Sequence, residues 1–126
     1  MPETLTSVRY IVADVEIAVG FYTNHLGFTL GLDAWPAFAA VTRGGLQLWL
    51  SGPKSSAGRP LADGRKPGPG GWNRIVLPVA DIAAEAERLG AAGLSFRSPV
   101  VKGPGGSQIL LDDPFGNPIE LFQPAG

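Results

Sequence analysis

The chain has 126 residues, 44% of them hydrophobic, which is enough for one respectable core and too little for two independent domains of ordinary size. Its 10 basic and 11 acidic residues are intermixed for a net charge of -1, leaving no electrostatic footprint for nucleic acid or an anionic membrane. The absence of cysteine removes disulfides, thiolate metal sites and Cys nucleophiles together.

The start, Met1-Pro2-Glu3-Thr4, has neither a basic nor an apolar leader segment, and no later stretch approaches membrane-spanning length, so a cytoplasmic protein is expected. Val8 to Val12 is rich in β-branched and aromatic residues and reads as a strand, ending near Asp14, which can cap a helix. Val15, Ala18, Val19 and Tyr22 then recur at helical spacing as far as His25, and Leu26-Gly27-Phe28 closes that helix through a glycine suited to the left-handed region. Strands are expected at Thr29–Leu32, Phe38–Thr42 and Leu46–Leu50. Residues 52–71 are loaded with Gly, Pro, Ser and mixed charges and form a linker, long enough to serve as a lid.

After the linker, a strand around Arg74–Val79 precedes Asp81, the cap of a helix from Ile82 to Leu89 that ends at Gly90 and Gly93. Strands follow at Leu94–Arg97, Ser107–Asp112 and Ile119–Gln123. Lys102-Gly103-Pro104-Gly105-Gly106 lacks the Walker spacing and no helix follows it, so it is read as a hairpin connection. Asp112, Asp113 and Asn117, with Pro114 and Gly116 between them, form a turn held by Asx hydrogen bonds rather than a carboxylate cluster.

The two halves echo each other. Ser7 to Val15 is matched by Arg74 to Ile82, and Leu46-Gln47-Leu48-Trp49 by Ile119-Glu120-Leu121-Phe122, in the same order around the same kind of helix. The expected fold class is α+β, with two βαβββ modules forming a curved mixed sheet around a cup. Module one covers about 1–51 and module two about 72–126, within a single domain over 1–126.

The duplication, the Asp capping each helix, Phe21-Tyr22 followed by Leu26-Gly27-Phe28, and above all Asp113-Pro114-Phe115-Gly116-Asn117-Pro118-Ile119-Glu120-Leu121 resemble the vicinal oxygen chelate superfamily. That group includes glyoxalase I, extradiol dioxygenases, fosfomycin-resistance transferases, methylmalonyl-CoA epimerase and bleomycin-resistance proteins. Its metal-using members hold a divalent ion with two His and two Glu-type positions, one pair from each module. Carried over residue by residue, those positions fall on Ser7, Gln47, Arg74 and Glu120, of which only Glu120 keeps the expected acid. Arg74 is a permanent cation, and Ser and Gln are poor neutral ligands, so the resemblance implies no metal at this position. His25 is read as a helix-terminal residue favoured by the dipole.

Strand parity places Ser7, Arg9, Gln47, Trp49, Arg74, Glu120 and Phe122 on the inner face of the expected cup, with Trp35 and Trp72 at its rim. Arg74 and Glu120 are expected to pair as ions where the metal would be. Arg9 or Arg74 grips an anionic group, while Trp49 and Phe122 stack on a flat ligand body. The function implied is metal-independent binding of a flat, anionic small molecule, as in the bleomycin-resistance branch. The alternative is a glyoxalase-like lyase, isomerase or dioxygenase with an atypical divalent metal site or with Glu120 as general base. Proteins resembling this one form homodimers, and exposed sheet edges favour that pairing.

Overall fold

The computed structural model describes residues 5–126, so the start, Met1 to Thr4, on which the expectation about a leader rests, lies outside the described residues. The chain divides into two compact units, Met1–Pro69 and Gly70–Gly126.

In the first unit β1 (Ser7–Ile11) leads to α1 (Val15–His25), followed by β2 (Thr29–Ala34), β3 (Phe38–Arg43) and β4 (Leu46–Ser51). Asp14 caps α1 by accepting from the Ile17 amide at 3.0 Å. Gly27, at φ 71°, lets the Phe28 N–H turn back to the Tyr22 carbonyl at 3.2 Å. The sheet order is β1-β4-β3-β2, with β1 and β4 parallel and the other neighbours antiparallel. Helix α1 covers one face, where Tyr10, Val12, Val15, Ala18, Tyr22, Val41, Leu48 and Leu50 are buried as the core.

The second unit repeats the plan with β5 (Ile75–Pro78), α2 (Ile82–Ala91), β6 (Val101–Gly103), β7 (Gly106–Asp112) and β8 (Pro118–Pro124), in the order β5-β8-β7-β6. Asp81 caps α2 through the Ala84 amide at 3.0 Å, and Ile75, Leu77, Leu89, Ile109, Leu111, Ile119 and Leu121 are buried. Lys102 to Gly106 is the hairpin connection, with Gly103 opposite Gly106 across β6 and β7.

Two expectations are corrected. The strand expected at Leu94–Arg97 is absent: that segment makes one isolated bridge, Phe96 to Leu111, and the fourth strand of the sheet is Val101–Gly103. Arg97 and Ser98 both direct their amides at the Leu110 carbonyl, at 2.8 and 3.4 Å, so the segment follows β7 without forming a regular ladder. The curved sheet around a cup is also not formed. Each unit has its own open four-stranded sheet with two edge strands, and neither sheet closes or curls on itself. Alternating polarity assigns side chains to a face of a strand, but enclosure requires bending or edge pairing that a two-residue period does not encode.

Candidate functional site

Parallel pairing of β1 with β4 sets Ser7 opposite Gln47 and Arg9 opposite Trp49. Since side chains alternate along each strand, all of them stand on the face away from α1. There they form one connected cluster. The Gln47 Oε1 accepts from Ser7 Oγ at 2.6 Å and from Trp49 Nε1 at 2.8 Å. The Arg9 guanidinium lies 4.8 Å from the Trp49 ring centroid and donates to the buried Ser51 hydroxyl at 3.1 Å. Phe38, on β3, meets the same indole with centroids 5.8 Å apart and planes tilted by 59°. Arg9 is exposed, and among the described residues no carboxylate pairs with it.

In the second unit Arg74 donates from Nε and NH2 to the same Glu120 oxygen, at 3.0 and 2.9 Å, and from NH1 to the Trp72 carbonyl at 3.3 Å. The expected ion pair is therefore formed, with side-chain exposure of 27% for Arg74 and 10% for Glu120. Phe122 is half-buried on β8, opposite Pro78 and Gln108. Trp72 is exposed, but its ring carries the Arg97 guanidinium at 4.7 Å. Trp35 is also exposed and walls an open groove with Val15, Glu16, Val19 and Asp33, against α1 and apart from the Arg9–Trp49 cluster.

Arg97 was not singled out by sequence, yet it organises the second unit's loops. It donates to Asp112 at 2.7 Å, the Gly71 carbonyl at 2.7 Å and the Gly116 carbonyl at 2.9 Å. The turn it holds is the Asx structure expected from the sequence: Asp113 Oδ1 accepts from the amides of Phe115 and Asn117 at 2.8 and 2.9 Å. Asn117 Oδ1 in turn accepts from the Gly70 amide at 2.9 Å. No local motif marks Arg97, because its partners are far away along the chain.

These residues do not suit a metal ion. Ser7 donates its hydroxyl to the Gln47 oxygen, and Arg74 brings a fixed positive charge to Glu120. Among the described residues no three His, Cys, Asp or Glu side chains gather as a ligand set. His25 sits at the end of α1 with its ring 5.7 Å from that of Phe21.

The sequence profile of the Glyoxalase/Bleomycin resistance protein/Dioxygenase superfamily matches residues 4–121. A crystal structure of a member of that superfamily from Sphaerobacter thermophilus is 30% identical with a TM-score of 0.77, covering 97% of this chain and 98% of that one. TnmS3, an antibiotic binding protein from a Streptomyces, is 26% identical with a TM-score of 0.74, covering 98% of each chain. Lactoylglutathione lyase from Agrobacterium tumefaciens, 20% identical with a TM-score of 0.74 over 97% of this chain and 94% of that one, shares the fold. No curated protein matches the chain. With its paired βαβββ units and a profile match across nearly its whole length, the protein belongs to the glyoxalase/bleomycin resistance protein/dioxygenase superfamily.

Proposed function

We propose that the protein is a metal-independent binder of a flat, anionic small molecule, held on the open face of the first sheet by Ser7, Arg9, Gln47 and Trp49. The observation that carries this function is the exposed Arg9 guanidinium. It is fixed by Trp49 and Ser51 while no described carboxylate neutralises it, so an anionic group on a ligand completes it. One face of the Trp49 ring already carries Arg9, which makes the guanidinium plane, rather than the bare indole, a surface for stacking. Arg74 and Glu120, engaged with each other, hold the second unit's sheet to its preceding loop.

The likeness to TnmS3 supports a binding role, since that relative is an antibiotic binding protein. The enzymatic alternative, with Glu120 as general base, has less behind it because two Arg74 donors grip one of its oxygens. A homodimer fits the exposed edge of β2, and a cytoplasmic setting fits the lack of cysteine. Among the described residues no helix is long and apolar enough to cross a membrane.

The test combines elemental analysis with a ligand screen. After incubation with Ni, Zn, Mn, Fe or Co and desalting, metal content well below one ion per chain is expected. Among flat aromatic antibiotics and acids, at least one is expected to raise the melting temperature and quench Trp fluorescence, and the Arg9→Met variant is expected to lose that response. A tightly held ion in every chain, or a screen with no response at all, refutes this function.

A further inference from the structure

Hydrogen-bond accounting on the first sheet restricts the ligand further, resting on the binding role just proposed. An indole N–H can only donate, so the short contact from Trp49 Nε1 requires the oxygen of the Gln47 amide, not its nitrogen, at that point. Ser7 donates its hydroxyl hydrogen to the same oxygen. Both contacts to Gln47 therefore fall on Oε1, and the amide NH2 has no partner among the described residues. Arg9 uses NH1 on Ser51, leaving Nε and NH2 without partners among the described residues. Nearby hydroxyls such as Thr42, opposite Gln47 on β3, can adapt either way, whereas Arg9 and Gln47 have fixed polarity and offer only N–H groups.

We infer that the ligand is a planar molecule bearing oxygen acceptors at two places: an anionic group, such as a carboxylate, for Arg9, and a neutral carbonyl oxygen for Gln47. Gln47 is opposite Ser7, and Arg9 is two residues beyond Ser7 on the same face, a backbone offset of about 7 Å. That spacing suits acceptors at opposite ends of one aromatic ring. Cationic or donor-rich aromatics are rejected because they leave these N–H groups unpaired against a like charge. Gln47 is thus a specificity residue whose orientation is set by Trp49 and Ser7.

Three matched probes test this: monomethyl terephthalate, with a carboxylate at one end and an ester carbonyl at the other; the analogue with an aminomethyl cation replacing the carboxylate; and neutral dimethyl terephthalate. They are titrated into the full-length protein and followed by NMR, which tolerates weak binding. Monomethyl terephthalate is expected to bind about tenfold or more tightly than the cationic analogue. The Gln47 side-chain NH2 and Arg9 Nε–H resonances are expected to shift. Gln47→Glu keeps an oxygen for the Trp49 indole but offers no donor, and is expected to abolish the preference, with the native backbone spectrum as the control for folding. Equal or tighter binding of the cation, or shifts that bypass Gln47 and Arg9, overturns the acceptor rule while leaving a binding role intact. Failure of all three probes to bind removes both.

Discussion

Arg9, Arg74 and Arg97 carry the same charge and differ in what they touch. Arg9 is supported by a ring and a hydroxyl, Arg74 is spent on Glu120, and Arg97 ties a carboxylate to two backbone carbonyls. Removing one member of the Arg74–Glu120 pair leaves a largely buried charge. Arg74→Met is therefore expected to destabilise the protein by about 3 kcal/mol in urea melts, with the double change to Arg74→Met and Glu120→Leu recovering most of it. For Arg97 the planar fork matters more than the charge. Arg97→Lys cannot reach Asp112, Gly71 and Gly116 together and is expected to cost about 2 kcal/mol, with the Trp72 fluorescence changing as its stacking partner is lost. Strand parity placed Ser7, Arg9, Gln47 and Trp49 on one face because each position is set by its own strand. Arg97 was invisible because its partners lie 15, 26 and 19 residues away, where no short pattern reaches.

At the level of elements, the helices were the most legible parts. Val15–His25 is the helix expected from the apolar spacing, and both Asp caps accept the amide three residues on. Asp14→Ala and Asp81→Ala are each expected to lower stability by about 1 kcal/mol in thermal or urea unfolding. The segment Leu94–Arg97 looked like a strand but sits beside β7 without ladder pairing, and Val101–Gly103 takes the edge position. Gly106 shows how closely β7 and β8 approach at their end. It has φ 149°, and a Cβ there would meet the Gln123 carbonyl and come within 2.9 Å of Phe122 Cζ. Gly106→Ala is therefore expected to cost about 2 kcal/mol and to disturb the Phe122 ring resonances, read by thermal unfolding and NMR.

For the whole molecule, the exposed edge of β2 bears on assembly. All six of its residues are exposed, including Leu30 at 42% and Leu32 at 52%, an apolar edge open to strand addition. In sedimentation velocity the proposed homodimer is expected to give way to monomer in Leu32→Lys, and an unchanged sedimentation coefficient excludes this edge as the interface. The sequence by itself determined the duplicated βαβββ plan, both helix caps and the shared strand face of Arg9, Gln47 and Trp49, because the echo is visible when the two halves are compared and caps and strand alternation act within a few residues. Only the tertiary structure decided that each unit keeps its own open sheet, that Arg97 ties Asp112 to the Gly71 and Gly116 carbonyls, and that Gln47 turns its oxygen to Ser7 as well as to Trp49. Those outcomes depend on which groups chain folding brings within hydrogen-bond reach, and that is settled by packing across dozens of residues rather than by local pattern.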